Sequence, residues 1–317
     1  MQRGFTKRLI EFAMTHRSKF YGTVVPLVTP FTADGKLDEA ASHRLVESQV
    51  AGGVEGIFVL GTTGEGAHVP REARRQLVAQ TVKHVNRRAV VFAGLGDIRS
   101  ADVSEANEFL KAGADAVVAH PPISEKLAPT ELQGWYQTLL DGLKGPLVLY
   151  NMPMTTKVSI PLDAVEKLLG HPRLAGIKDS ENNEPRLEEL LTRYGRKKDF
   201  SVFVGVGALM EKGLKLGADG IVPSVGNLIP DVCHKFCAAA KEADWPEAEI
   251  FSSRMSAIAA LYQKGRTLNE SLSVLKAAMS CRGLCSPHVL LPLHTLTEPQ
   301  MEKLRHEMER LHLLNGK

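Results

Sequence analysis

Lys178 closes the apolar run Leu174-Ala175-Gly176-Ile177, an unusual station for an ammonium group. Desolvation at the end of a doubly buried strand disfavours the charged form, so such a lysine is either paired with an acid or used as a neutral nucleophile. Two further runs end on reactive groups: Tyr150 follows Pro146-Leu147-Val148-Leu149, and Thr62-Thr63 follow Ile57-Phe58-Val59-Leu60-Gly61. An amine, a phenol and paired hydroxyls together suit Schiff-base chemistry on a keto acid. The amine would attack the ketone, and the resulting iminium draws electrons, so a carbon–carbon bond beta to it can break or form. Tyr150 would shuttle the proton, with its hydroxyl held by Thr63. The turn Gly61-Thr62-Thr63-Gly64 would aim backbone N–H groups at a carboxylate, with Glu65 orienting the loop. Asp179 adjoins the lysine, but strand alternation sends it to the opposite face. Singly, each feature has a plainer explanation: a lysine in an ion pair, a core tyrosine, a tight turn. Their joint position carries the reading.

These groups need a scaffold that gathers strand ends. The chain alternates short β-branched runs with helical periodicities, which predicts parallel strands joined by helical crossovers. Strands are expected near 22–28, 56–60, 89–94, 115–119, 146–150, 173–178, 201–205 and 219–223. Helices are expected near 38–52, 70–86, 101–112, 129–142, 161–169, 183–194 and 207–216. Eight strands with helices between them make an α/β fold, a (β/α)8 TIM barrel, whose reactive groups sit at the C-terminal strand ends. Gly53, Gly113 and Gly217 follow helices, where a left-handed cap favours glycine. Asp38, Ser100 and Pro161 sit at helix starts. Beyond strand eight only helices are expected, near 229–243, 245–264, 268–281 and 297–312, as a C-terminal helical extension.

The domain division is therefore an N-terminal extension over 1–20, a barrel over 21–226 and a helical subdomain over 227–317. The extension carries Arg3, Lys7, Arg8, Arg17 and Lys19 against Glu11. A structural extension is preferred to an organelle-targeting segment. With 317 residues, 44% hydrophobic, 24% charged and a net charge of +3, the chain reads as a soluble, cytoplasmic handler of a small molecule rather than a nucleic-acid binder. No run approaches the roughly 18 apolar residues of a membrane span. The four cysteines fall in pairs, Cys233/Cys237 and Cys281/Cys285, that match no zinc or haem motif and read as reduced thiols. No metal or cofactor is expected, and no dinucleotide-binding glycine fingerprint follows an early strand.

Gly61-Thr62-Thr63-Gly64-Glu65, Tyr150-Asn151-Met152-Pro153 and Gly176-Ile177-Lys178-Asp179-Ser180 resemble, in order and spacing, the signature segments of the dihydrodipicolinate synthase/N-acetylneuraminate lyase family. Val25-Pro26-Leu27-Val28-Thr29-Pro30-Phe31 is similar to that family's opening strand, and the likeness runs to the C-terminus. The resemblance implies a class I aldolase, usually a homotetramer, that holds pyruvate as a Schiff base. It implies that Lys178 is the imine lysine, Tyr150 the proton-transferring group, and Thr62 with Thr63 the pair binding the pyruvate carboxylate. It also implies a backbone carbonyl from Val222 lining the site, and Ser180 and Ser224 at positions that contact substrate hydroxyls.

Departures from the family pattern bear on the second substrate. Thr155 stands where the synthases carry an arginine for the aldehyde's carboxylate. Ala119-His120-Pro121-Pro122-Ile123 lacks their tyrosine pair, and Gly205-Val206-Gly207-Ala208 lacks the acidic pair of sialate lyases. The expected activity is a pyruvate-dependent aldolase that cleaves or forms a 2-keto-3-deoxy or 4-hydroxy-2-keto acid, with Thr155, Lys157 and His120 governing the choice of aldehyde. The alternatives are 4-hydroxy-tetrahydrodipicolinate synthase, condensing pyruvate with aspartate semialdehyde, a dehydratase using the same imine, and a catalytically inactive keto-acid-binding barrel.

Overall fold

The computed structural model of the chain describes residues 20–96, 103–123 and 127–314. Its strands are β1 Gly22–Pro26, β2 Gly56–Val59, β3 Val90–Gly94, β4 Ala116–Ala119, β5 Leu147–Asn151, β6 Leu174–Asp179, β7 Ser201–Val204 and β8 Gly220–Ile221. They run parallel in sequence order and close on themselves, with Gly22 opposite Gly220. The crossover helices are α1 Glu39–Ala51, α2 Arg71–Val85, α3 Ser104–Lys111, α4 Pro129–Gly142, α5 Pro153–Thr156, α6 Leu162–Leu168, α7 Glu184–Tyr194 and α8 Met210–Lys215. After the barrel come α9 Pro230–Lys241, α10 Trp245–Gln263, α11 Leu268–Cys281 and α12 Glu298–Arg310. The expected (β/α)8 barrel with a C-terminal helical part is therefore the fold.

Strand alternation sorts the apolar residues into two sets. Phe58, Phe92, Val118, Val148 and Phe203 point inward and fill the barrel. Their neighbours Ile57, Val91, Val117, Leu149 and Val202 point outward into the layer shared with the helices. Phe20 enters the inner set from below β1: it is buried, its ring lies 4.9 Å from that of Phe92, and its carbonyl accepts from Ser201 Oγ at 2.8 Å.

Several boundaries follow the expected chemistry. Asp38 caps α1 by accepting from the Ala41 N–H at 2.8 Å, and Gly113 takes φ +106° after α3. Others differ. β8 spans two residues, since Pro223 has no N–H to extend the ladder and Ser224–Asn227 turn into a 3-10 helix. The helix expected from residue 207 opens as a 3-10 turn, Gly207–Leu209, before α8. The four-residue α5 carries too little periodicity to be predicted. The N-terminal segment before Phe20 and the cap expected at Ser100 lie outside the described residues.

The C-terminal helices are fastened to the barrel by specific bonds. Thr23 Oγ1 of β1 donates to the Cys233 carbonyl of α9 at 3.0 Å, and Arg282, just past α11, donates to the Leu228 carbonyl. Cys233, Cys237 and Cys285 are buried free thiols, and burial pushes Cys237 up to about 12. Among the described residues no helix is long and apolar enough to cross a membrane.

Candidate active site

β5 and β6 pair with Tyr150 opposite Lys178 and Asn151 opposite Asp179. Alternation then puts the amine and phenol inside the barrel and the amide and carboxylate outside. Lys178 is 6% exposed and Tyr150 4%. Lys178 Nζ lies 4.0 Å from the Tyr150 ring centroid and 5.0 Å from that of Phe58. Among the described residues no carboxylate forms an ion pair with Lys178; the adjacent Asp179 is turned away and held by Arg186 Nε at 2.9 Å. Asn151 Nδ2 bridges Asp179 at 2.9 Å and Glu181 at 3.0 Å, so an outer polar clamp locks the two strand ends whose inner faces carry the amine and phenol. Burial lifts the Asp179 carboxyl above its usual range against the pull of Arg186.

The Tyr150 hydroxyl lies 3.2 Å from Thr62 Oγ1. Burial alone would raise the phenol's pKa, but the Lys178 charge and hydrogen bonds with Thr62, Lys178 and Ser180 outweigh it and hold the group below an ordinary tyrosine. The expected partner was Thr63, and this is corrected: among the described residues Thr63 makes no side-chain hydrogen bond, and the contact belongs to Thr62. In a tight turn consecutive side chains diverge, so only one of two adjacent hydroxyls reaches a given atom. The turn is closed by Gly64 N–H and Gly66 N–H on the Gly61 carbonyl, at 3.0 and 3.1 Å. A Cβ on Gly66 would meet Leu60 O at 1.9 Å, so only glycine fits there.

Glu65 orients this loop, as expected, through contacts the sequence reading did not foresee. Its carboxylate accepts from Lys276 Nζ of α11 at 2.6 Å and from the Leu290 N–H at 2.7 Å. Burial pulls Lys276 below an ordinary lysine despite the neighbouring carboxylate. Its signal was a lysine inside the apolar stretch Val274-Leu275-Lys276-Ala277-Ala278-Met279.

A cavity of about 110 Å³ opens above these groups, lined among others by Thr62, His120, Tyr150, Thr155 and Leu268. The Thr155 hydroxyl, on α5, is buried with no hydrogen-bond partner among the described residues. His120 Nδ1 lies 2.7 Å from the Pro121 carbonyl, and its ring centroid is 6.2 Å from that of Tyr150. Ser180 sits against Gly205, where a Cβ would come within 2.1 Å of Ser180 Oγ and 3.1 Å of Lys178 Cε. Val222 belongs to the inner layer, its N–H bonded to the Val204 carbonyl at 2.9 Å.

Two further candidates lie apart from this group. Ser224 Oγ is 2.7 Å from the Tyr262 hydroxyl and lines a separate cavity of about 360 Å³ against α10, because the 3-10 turn after Pro223 carries it sideways. Lys157 is exposed, and its Nζ donates to the Met154 carbonyl at 2.7 Å. Among the described residues no group of three or more His, Cys, Asp or Glu side chains could hold a metal ion.

Comparison with known proteins finds relatives over nearly the whole chain. A sequence profile of the Dihydrodipicolinate synthetase family matches residues 19–311. The putative 2-dehydro-3-deoxy-D-gluconate aldolase YagE of Escherichia coli K12 is 30% identical over 95% of this chain and 100% of its own length. The 4-hydroxy-tetrahydrodipicolinate synthase of Thioalkalivibrio sulfidiphilus is 30% identical over 88% of this chain and 93% of its own. Among solved structures, YagE in complex with pyruvate superposes with a TM-score of 0.85 at 28% identity, covering 93% of this chain and 100% of that one. The dihydrodipicolinate synthase of Bacteroides thetaiotaomicron gives 0.85 at 32% identity, covering 93% and 99%. A barrel with its amine and phenol on neighbouring strand ends, matched over nearly its whole length, belongs to the dihydrodipicolinate synthetase family of class I pyruvate aldolases and lyases.

Proposed function

We propose that Lys178 forms the Schiff base with pyruvate and that the reaction cleaves or forms a 2-keto-3-deoxy or 4-hydroxy-2-keto acid. The observation that carries this reading is the Lys178 amine inside the barrel, 4.0 Å from the Tyr150 ring and without a carboxylate partner among the described residues. The amine adds to the ketone, and loss of water gives the iminium. For cleavage, the Tyr150 phenolate takes the proton of the 4-hydroxyl. The bond between carbons 3 and 4 then breaks, releasing an aldehyde and leaving its electron pair as an enamine. Protonation at carbon 3 and hydrolysis return the amine and pyruvate; condensation runs the same steps backwards.

Thr62 and Thr63, with the backbone of their turn, grip the keto-acid carboxylate in this reading, and Thr62 also relays protons to the phenol. The Val222 carbonyl and Ser180 border the reacting carbons. Thr155 meets the aldehyde portion: a neutral, unpartnered buried hydroxyl suits a hydroxylated aldehyde and offers no charge to the carboxylate of aspartate semialdehyde. Ser224 falls to a secondary role, reached only by a longer substrate. The protein is read as cytoplasmic and homotetrameric, with residues 227–317 as its helical subdomain.

The lysine-pathway synthase is the competing reading, supported by relatives that carry that name at 30% identity. Borohydride reduction with pyruvate, followed by peptide mass spectrometry, tests the mechanism. The expected adduct sits on Lys178, and Lys178→Ala abolishes both adduct and turnover. No adduct would favour an inactive binding barrel. A panel of aldehydes scored with pyruvate tests the substrate. Hydroxyaldehydes are expected to turn over faster than aspartate semialdehyde, and the opposite order overturns the substrate assignment.

A further inference from the structure

The turn that faces the keto-acid carboxylate is strained at both ends. Leu60 holds φ +61° and Glu65 φ +56°, a region costly to residues with a side chain. Such a turn keeps its shape only where its surroundings over-determine it. Both Glu65 carboxylate oxygens are committed, one to Lys276 Nζ at 2.6 Å and the other to the Leu290 N–H at 2.7 Å. Lys276 is 1% exposed and lies 4.6 Å from the Phe31 ring centroid. The ion pair joins positions 211 residues apart, linking the turn to the C-terminal helices.

Stability alone accounts poorly for this pair. Desolvating two charges offsets most of their attraction, and an apolar pair of similar volume would serve as well. Position gives it a purpose. Glu65 lines the same cavity as Thr62 and Tyr150, so an uncompensated carboxylate there would repel the carboxylate of an incoming keto acid. A charge-assisted hydrogen bond from a buried lysine cancels that repulsion and fixes the direction of the side chain.

We propose that Lys276 is a positioning residue which, through Glu65, sets the turn's shape and charge and thereby the affinity for pyruvate. The inference rests on the aldolase reading and assigns the C-terminal helices a part in substrate binding.

The test compares the unmodified enzyme with Lys276→Met and with Glu65→Gln/Lys276→Met. Lys276→Met is expected to raise the KM for pyruvate by about tenfold or more while leaving the KM for the aldehyde within about twofold. The double variant, with neither charge, is expected to fall between that variant and the parent. A merely structural pair would lower the melting temperature without separating the two KM values. A folded Lys276→Met enzyme with the parent's pyruvate KM overturns the proposal; if it does not fold, the double variant is judged by the same criterion. In the unmodified enzyme, pyruvate is expected to slow amide exchange in the peptide carrying Leu290, and unchanged exchange there also overturns it. A parent enzyme that traps no pyruvate under borohydride defeats the aldolase reading, and this inference with it.

Discussion

In the proposed mechanism Tyr150 shuttles protons near neutral pH, a task for which a phenol is handicapped by its own weak acidity, and the surroundings of Tyr150 answer with charge. Burial works against the phenolate, whereas the Lys178 cation and hydrogen bonds with Thr62, Lys178 and Ser180 work for it and prevail. In the proposed mechanism the iminium carries a positive charge when the phenolate takes the 4-hydroxyl proton, and that charge is lost only when the enamine forms. Tyr150→Phe is expected to slow turnover by roughly two orders of magnitude, the usual worth of a general acid–base group. Steady-state rates in both directions check this, and full activity would remove the shuttle. Lys178→Met makes the electrostatic claim separately: with the cation gone and burial unchanged, Tyr150 should titrate above an ordinary tyrosine. Tyrosinate absorbance followed against pH in parent and variant reads that shift, and a downward shift would refute the claim. These residues were legible because each interrupts an apolar run at the strand's end. The choice between Thr62 and Thr63 was not, since adjacent hydroxyls are equivalent in sequence and only the turn's geometry separates them.

At the scale of elements, the site depends on how closely β6 approaches the chain leaving β7. Gly205 follows β7, and a Cβ there would collide with Ser180 Oγ at 2.1 Å and press on Lys178 Cε at 3.1 Å. Gly205→Ala is therefore expected to displace the amine by a fraction of an ångström or more, costing about a hundredfold in kcat. Circular dichroism should show the fold retained, and an undiminished kcat would mean that Ser180 turns aside without disturbing Lys178. The outer clamp works in the same register: Asn151 and Asp179 are held together at 2.9 Å directly behind Tyr150 and Lys178. Alternation foretold that Asp179 faces outward, but its partner Arg186 lies on α7 and was invisible until the chain folded. The same limit applies to Lys276, whose burial is dictated by a turn far away in sequence. The elements themselves were largely legible, since period-2 and period-3.6 patterns are local. α5, an element of four residues, is too short to express a period, while β8 forms inside its expected bounds but keeps only two residues.

Taken as a whole, the molecule divides its labour between the two ends of one barrel. The C-terminal strand ends hold the polar constellation, and the helices beyond the barrel reach that end through Lys276 and Leu268. At the opposite end the inner layer is aromatic: Phe20 rests edge-on against Phe92 at 4.9 Å, itself 6.2 Å from Phe203, closing that layer from below. In barrels of this class the loops at one end carry chemistry and the other end carries stability. Phe20→Ala should separate these roles. Removing a fully enclosed ring leaves a cavity that the stacked rings above it fill poorly, at a cost of about 3–5 kcal/mol. The amine and phenol stand at the other end of the strands, with the Phe92 and Phe203 rings between them and Phe20, so kcat and both KM values should stay at parent levels below the melting transition. Chemical denaturation alongside steady-state kinetics tests the two halves together. An unchanged unfolding midpoint would show that Phe20 does not brace the floor. A large loss of kcat in a fully folded variant would show that the two ends are mechanically coupled, and that strand tilt at the base helps set the distance between Lys178 and Tyr150.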